Sequence, residues 1–176
     1  AFIAMAHRGV FVHQSSQASA SHLIEGVIKG LNTRRPALFN IYTPCPVEHG
    51  LADDWAPTAA KMALESRAFP FLTYDPDGGE DLADCLSLDG NPDVESIWPT
   101  YELEYVDEEG NVQSMTLPLT TADWAVTEVR FRKNFSPIPA DDTDEGWMLF
   151  HEFVLADEEE RRGRKPFIWV LGEGRK

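Results

Sequence analysis

The stretch Gly9–Tyr42, GVFVHQSSQASASHLIEGVIKGLNTRRPALFNIY, decides the fold class. Gly9–His13 is β-branched and aromatic and predicts a short strand, and the polar residues that come next predict a loop. Ser21–Leu31 has helical spacing and predicts a helix that Ser21 caps. Ala37–Tyr42 is mostly apolar and predicts a strand buried on both faces, as parallel strands are. Together they predict a right-handed βαβ unit. The apolar residues of the predicted helix are Leu23, Ile24, Val27, Ile28 and Leu31.

The residues after this unit continue the α/β pattern. Thr43–Gly50, TPCPVEHG, is predicted to be a loop at the carboxyl end of the second strand. Ala56–Arg67 is rich in strong helix formers and predicts a helix that Pro57 starts. Phe69–Tyr74 predicts a third strand, closed by a Pro/Gly turn. We expect residues 77–100 to be irregular.

From residue 79 onward the sequence no longer follows the α/β pattern, and its segments predict a mixed α+β appendage. The fold class is therefore α/β: a partial parallel sheet in residues 1–78, and an appendage with a β-hairpin in residues 79–176. The predicted elements of the appendage are the hairpin strands Tyr101–Val106 and Val112–Leu117 around an acidic tip, Asp107–Asn111; a helix from a Thr120/Asp123 capping box through Phe135; a helix over Glu145–Leu155; a turn of helix capped by Asp157 and Glu160; and a strand over Pro166–Leu171.

The charge of the chain limits its partners. The formal charge is −15, and residues 71–128 hold 15 acidic residues and no Lys or Arg. Such a chain is not expected to bind nucleic acid or an anionic membrane, which both need a basic surface. The sequence has no stretch of about 20 apolar residues, so it predicts no membrane-spanning helix. The acidic block is typical of a solvated surface, and a partner-docking face or a cation site is the alternative.

The length and the cysteines place the chain in a broad class. The 176 residues fit one domain, or one domain with an appendage. The sequence starts at Ala1 within what reads as continuous structure, which indicates a piece of a longer chain. Cys45 and Cys85 cannot form a disulfide framework, and we expect a cytoplasmic location.

Cys45 and His49, four residues apart in the loop, are the first candidates for chemistry. They could form a nucleophile–base pair, although prolines flank the cysteine on both sides. They could belong to a zinc site, which needs two further ligands. The plainest alternative is a half-buried cysteine beside a solvated histidine. The residues alone leave these three interpretations open.

Other cysteine and histidine residues are more typical of structure than of chemistry. Cys85 lies between leucines and is expected to be a packed, small apolar residue. His7 and His22 are expected to be structural or solvated. His151 lies in an aromatic segment and is expected in the core or at an interface.

Phe2–Pro76 resembles part of a known family. IAMAHRGVFVHQSS is similar to a strand of the type MTYGYVYVA, and RRPALFNIYTPC to GPSLVIAYxxC. Gly50 then completes a CxxxxG pattern, and FPFLTYDP is similar to WPLFRYDP. In this order, the motifs resemble the second half of the thiamine-diphosphate-binding domain of the pyruvate:ferredoxin (flavodoxin) oxidoreductases.

The resemblance implies an activity for the parent enzyme. The family oxidises 2-oxoacids with coenzyme A to acyl-CoA and carbon dioxide, using thiamine diphosphate with Mg²⁺, and passes electrons through [4Fe–4S] clusters to ferredoxin or flavodoxin. By this resemblance Cys45 is one of four thiolates on the cluster nearest the thiamine. The partners implied are the rest of the parent enzyme and a second copy in a homodimer.

This sequence lacks residues that the family uses to bind its cofactors. The family's GDG…N metal–diphosphate motif and the other three cluster cysteines are not in this sequence. We therefore expect the isolated chain to bind neither cofactor and to be inactive. The residues beyond 78 do not match the pyruvate enzymes, so the substrate can be a related 2-oxoacid. The alternative function is a non-catalytic, acidic interaction or scaffold domain that keeps the fold.

Overall fold

The computed structural model describes residues 1–93, 95–107, 109–139, 141–142 and 146–170. These residues form a mixed α/β structure, as the sequence predicts. Its helices are α1 Phe2–Met5, α2 Ala20–Asn32, α3 Pro46–His49, α4 Ala56–Glu65, α5 Leu82–Cys85, α6 Thr121–Thr127, α7 Val129–Arg132, α8 Phe150–Leu155 and α9 Glu158–Arg161; its strands are β1 Phe11–Ser16, β2 Ala37–Tyr42, β3 Leu72–Tyr74, β4 Leu86–Ser87, β5 Thr100–Val106, β6 Val112–Pro118, β7 Trp147–Leu149 and β8 Lys165–Phe167.

The main sheet has the strand order β2-β1-β3-β4. β1 and β2 are parallel with Phe11 opposite Ala37, and α2 connects them as the helix of the βαβ unit. β3 runs antiparallel to β1, and β4 antiparallel to β3. The sheet is therefore only partly parallel. The prediction of irregular structure over residues 77–100 is wrong at α5 and β4.

β1 is the central strand and is longer than the sequence predicts. All six of its residues are buried, including the polar residues that we expected in a loop. Their side chains find partners inside the protein: Gln14 Nε2 donates to the Pro70 carbonyl oxygen at 2.7 Å, and Asn40 Nδ2 donates to Gln14 Oε1 at 2.7 Å. Because these hydrogen bonds satisfy buried polar groups, the strand can continue through Ser16.

β2 has the predicted bounds but not the predicted burial. It lies at the edge of the described sheet, with Ala37 and Leu38 exposed and the other four residues half-buried. The expectation of a strand buried on both faces is therefore wrong for this chain. One edge of β2 has no partner strand among the described residues, which leaves backbone groups of β2 free to pair.

α2 packs on the sheet through glycines rather than through its large apolar residues. The side chain of Ser19, not Ser21, caps it by accepting from the His22 amide. Gly26 lies against the ring of His13, and an added Cβ at Gly30 would lie 2.6 Å from the Phe39 ring. Without side chains at these positions the helix approaches the strands closely, so the buried face of α2 is the glycine face.

The close packing of α2 leaves much of its apolar surface uncovered. The exposed fraction is 57% for Ile24, 54% for Ile28 and 73% for Leu31. Helical spacing of apolar residues normally marks the face toward the core. Here the apolar stripe is wider than the contact with the sheet, so part of it is exposed.

The core on the opposite side of the sheet includes residues from beyond position 78. Val12, Leu72, Tyr74 and Cys85 form a buried cluster against which part of α1 packs. The sulfur of Cys85 contacts the Gly79 carbonyl oxygen at 3.4 Å. Cys85 is thus a packed, small residue, as the sequence predicts.

The capping boxes and the hairpin predicted for the appendage are confirmed. Thr120 with Asp123, and Asp157 with Glu160, each form both hydrogen bonds of a capping box. β5 and β6 pair with Thr100 opposite Pro118. Glu108 of the predicted acidic tip lies outside the described residues.

Two helices of the appendage differ from the prediction. The helix expected through Phe135 is divided into α6 and α7 at Glu128, which has extended backbone angles. The helix expected over Glu145–Leu155 is β7 followed by α8, and β7 pairs in parallel with β8. Glu145 and Leu171, at the ends of predicted elements, lie outside the described residues.

A helix that crosses a membrane must be long and mostly apolar. Among the residues that the structure describes, no helix is both long enough and apolar enough to cross a membrane.

Gly26→Ala tests the close approach of α2 to the sheet. The added Cβ would lie 2.0 Å from His13 Cε1, and the His13 ring is held by a 2.9 Å hydrogen bond to Thr73. We expect a loss of about 1–3 kcal/mol in the free energy of unfolding, because overpacking outweighs the ~1 kcal/mol helix-propensity gain of alanine.

Urea unfolding measures this change, and Gly9→Ala is the control, because its nearest contact would be 3.8 Å away. A Gly26→Ala protein as stable as the unmodified chain would contradict the close packing.

Candidate functional site

Cys45 lies just beyond the carboxyl end of β2. It is the N-cap of α3, with extended backbone angles of φ −98° and ψ 119°, and it is exposed. Pro44 and Pro46 flank it, and Pro46 starts α3. Within the described part of the chain, its thiol makes no hydrogen bond that would compete for the sulfur. The cysteine is thus presented outward from a short, well-defined loop.

The loop that we predicted over Thr43–Gly50 contains the short helix α3. The His49 amide donates to the Cys45 carbonyl oxygen at 2.9 Å, and the Leu51 amide to that of Pro46 at 2.9 Å. Gly50 ends the helix in the left-handed conformation, with φ 65°. An added Cβ there would lie 2.1 Å from Val129 Cγ2, so the loop also packs tightly on α7.

Glu128 is a fully buried acidic residue beside this loop. The hydroxyl of Tyr42 donates to Glu128 Oε1 at 2.7 Å. His49 Nδ1 lies 3.4 Å from the same oxygen. Arg130 Nε lies 2.8 Å from Glu128 Oε2, which makes an ion pair although the direction is not that of a hydrogen bond. One carboxylate therefore contacts two residues of the Cys45 region and a cation of α7.

Aromatic rings enclose the Glu128 cluster. The Tyr42 ring lies 6.3 Å from that of Trp124, and the Arg130 guanidinium lies over the Phe131 ring at 4.9 Å. Burial, and next the hydrogen bond to Glu128, raise the pKa of the Tyr42 hydroxyl. Tyr42 therefore keeps its proton at neutral pH and acts as a donor to the carboxylate.

The geometry does not pair Cys45 with His49. The imidazole is buried, with an 8% exposed fraction, and stacks on Tyr42 at 6.0 Å between ring centroids. Its Nδ1 faces Glu128, and no hydrogen bond joins the described imidazole to the Cys45 thiol. The plainest alternative from sequence is also wrong in detail, because the cysteine is exposed and the histidine is buried.

The described residues around Cys45 do not form a metal site by themselves either. Among the described residues, no group of three or more His, Cys, Asp or Glu is placed to hold a metal ion. Cys85 is buried in the core cluster and is not a second ligand beside Cys45. What the loop can offer is one exposed sulfur.

A second polar cluster lies between α2 and the sheet. His13 is fully buried, with Nδ1 2.9 Å from Thr73 Oγ1 and its ring 4.8 Å from that of His22. His22 Nδ1 lies 2.8 Å from Ser15 Oγ, and its ring stacks on Phe71. An open pocket of about 220 Å³ adjoins both histidines. The expected structural role of His22 fits this packing.

Burial controls the protonation of these histidines. It lowers the pKa of His13 to about 4, and the neighbouring His22 acts in the same direction. It also lowers the pKa of His22, against which the carboxylates of Asp89 and Glu25 act. Lys29 also borders the pocket. Because burial lowers both pKa values, both imidazoles are neutral packing groups near pH 7.

The two remaining histidines, His7 and His151, lie outside both polar clusters. His7 is exposed, as a solvated residue should be. His151 is half-buried and borders a small depression beside Phe150 and Phe167, in agreement with the expected core or interface position.

Glu128 is the residue of this region that the sequence analysis missed. It lies inside a segment predicted to be one continuous helix, where a glutamate ordinarily faces solvent. The neighbouring Arg130 and the aromatic residues Trp124 and Phe131 are a weak signal for an enclosed charge. Its partners Tyr42 and His49 are almost eighty or more positions away, so their approach depends on tertiary structure.

No family model matches the chain, and no curated protein matches its sequence. A function must therefore be argued from the geometry around Cys45 and from the motifs of the sequence.

His13→Gln tests the buried histidine through pH. Because the pKa of His13 is lower in the folded state than its ordinary 6.5, the unfolded chain takes up a proton first as the pH falls. Stability contributed by neutral His13 is present above pH 6.5 and is lost between there and about pH 4, by up to about 3 kcal/mol. We expect His13→Gln to reduce this loss.

The measurement is urea unfolding at about pH 7 and about pH 4.5. His7→Gln removes an exposed histidine and should keep the dependence of the unmodified chain. Equal pH dependence in His13→Gln and the unmodified chain would show that His13 is not held neutral.

Proposed function

We propose that this chain is part of a thiamine-diphosphate-dependent 2-oxoacid:ferredoxin or flavodoxin oxidoreductase. It contributes the second half of the thiamine-diphosphate-binding domain and one thiolate, that of Cys45, to a [4Fe–4S] cluster. The parent enzyme oxidises pyruvate or a related 2-oxoacid with coenzyme A to acyl-CoA and carbon dioxide in the cytoplasm. The 176-residue chain by itself is inactive.

The observation that carries this proposal is the placement of Cys45. Its exposed sulfur follows the carboxyl end of β2, a strand parallel to β1. Ligands of α/β sheets bind beyond the carboxyl ends of parallel strands. A cluster ligand also needs a free thiol that groups outside the loop can reach, and Cys45 is a free, exposed cysteine. This placement supports the family motif that the sequence carries at the same residue.

The residues present suit one cluster ligand and no more. A [4Fe–4S] cluster is held by four thiolates, and Cys85 is buried away from the loop. The other three thiolates would therefore come from other parts of the parent enzyme. When bound, such a cluster transfers single electrons. This chain's residues would fix the direction of the Cys45 sulfur through Pro44, Pro46 and α3.

Uncovered surfaces support a position inside a larger assembly. The free edge of β2 and the exposed Ile24, Ile28 and Leu31 of α2 lie on neighbouring elements. Apolar side chains beside an unpaired strand are stabilised when another strand and its helix cover them. The rest of a cofactor-binding domain would provide such cover.

The acidic block does not support direct docking of ferredoxin. Ferredoxins are usually acidic, and residues 71–128 hold 15 acidic residues and no basic ones. Like charges on two surfaces disfavour their association. In this proposal the acidic residues of this block other than the buried Glu128 face solvent or other parts of the enzyme, and the electron acceptor binds elsewhere.

Cys45→Ser in the full-length enzyme tests the proposed role. We expect the EPR signal of one cluster to disappear and electron transfer to ferredoxin to fall strongly, because a serine oxygen is a poor substitute for a thiolate ligand. Iron content per protein should fall with the signal. Cys85→Ser is the matched control and should leave the cluster signals unchanged.

Intact cluster content in the Cys45→Ser enzyme would refute the assignment. If the parent chain also lacks the GDG motif and the remaining cysteines, the acidic interaction or scaffold domain becomes the better account.

A further inference from the structure

We propose that Glu128 is a positioning residue that fixes the Cys45 loop from both sides. It belongs to the part of the chain that the family resemblance does not cover. The proposal rests on the proposed function only for the use of Cys45. The physical bracing of the loop by Glu128 stands on the contacts of this chain.

The contacts of Glu128 lie on both sides of Cys45 along the chain. Tyr42 lies three residues before Cys45 and His49 four residues after it. Both contact the same carboxylate oxygen of Glu128, at 2.7 Å and 3.4 Å. The Tyr42 end of the loop is therefore held by a hydrogen bond, and the His49 end lies against the same oxygen without a hydrogen bond.

Glu128 itself is firmly placed. It is fully buried, and Arg130 neutralises its second oxygen. The preceding helix α6 is fixed at its start, where the Thr121 hydroxyl donates to the Ser66 carbonyl oxygen at 2.9 Å. The capping box of Thr120 stabilises the same end. The carboxylate is thus carried by an element anchored to α4 and not by a free loop.

A steric contact also holds the Cys45 loop. Val129, the next residue, packs directly on Gly50 at the end of α3. Because Gly50 needs a left-handed backbone and has no side chain, α7 can come this close. The polar contacts of Glu128 and the apolar contact of Val129 hold the same loop, which restricts the direction in which Cys45 presents its sulfur.

These contacts give the appendage a role in the site. Segment 120–132 braces the cysteine loop, and the Glu128 side chain of this segment is buried, whereas Glu102 and Glu104 of the hairpin are exposed. A carboxylate is suited to this, because one oxygen accepts from Tyr42 while its charge pairs with Arg130. Glutamine keeps one acceptor oxygen for Tyr42 but loses the charge that pairs with Arg130.

Amide hydrogen exchange of the 176-residue chain tests the proposal without any cofactor. The reporters are the amides of His49 and Leu51, whose hydrogen bonds close the α3 turn. In Glu128→Ala we expect their exchange to become at least tenfold faster, while exchange in β1 changes less than threefold. Glu128→Gln should recover most of the protection. Glu104→Ala, at an exposed position of β5, is the matched control and should change nothing.

The outcomes separate bracing from general stability. Selective loss of protection in residues 45–51, with recovery in Glu128→Gln, supports the proposal. Unchanged protection, or loss spread evenly over β1 and the loop, overturns it.

If Glu128→Ala does not fold, Tyr42→Phe removes one contact and leaves the carboxylate in place. A selective acceleration at His49 and Leu51 in that variant supports the proposal, and an even or absent change overturns it. Because no cluster is involved, failure here leaves the assignment of Cys45 intact, and failure of that assignment leaves the bracing intact.

Discussion

A buried carboxylate is the constraint on which the arrangement around Cys45 depends. Removing Glu128 from water costs several kcal/mol unless donors and a counter-charge replace the water. The Tyr42 hydroxyl and the Arg130 guanidinium supply them, and the imidazole of His49 lies alongside. These groups come from β2, α3 and α7, so satisfying one side chain requires three elements to meet.

The break between α6 and α7 follows from the same requirement. Glu128 has extended angles at the junction, which directs its side chain inward and places Val129 against Gly50. Arg130 then lies over the rings of Trp124 and Phe131, where it remains partly exposed and can still pair with the carboxylate. A continuous helix over these residues would point them in other directions.

Much of the local structure could be predicted because it depends on neighbours in sequence. The two capping boxes join residues three positions apart, and the hairpin joins strands across a short turn. The βαβ unit is likewise a local pattern. The location of Cys45 at the end of β2 follows directly from these elements.

The features that the sequence did not predict depend on contacts between residues that are far apart in the chain. Gln14 is buried because Pro70 and Asn40 provide its partners, and hydropathy alone favours a loop there. The buried face of α2 is defined by glycines because the strands approach closely, which a pattern of large apolar residues cannot indicate. β2 was expected to be buried because its residues are mostly apolar. Composition does not distinguish an edge strand from a central strand, so this expectation failed.

The central claim is that Glu128 and Tyr42 act as one unit that holds the Cys45 loop. A double-mutant cycle with Glu128→Ala, Tyr42→Phe and the double variant, followed by urea unfolding, measures their coupling most directly, because each single change removes the hydrogen bond. Because the hydrogen bond is buried and its acceptor is a carboxylate, the account predicts a coupling energy of about 1–3 kcal/mol. Losses that simply add, within about 0.3 kcal/mol, would contradict it.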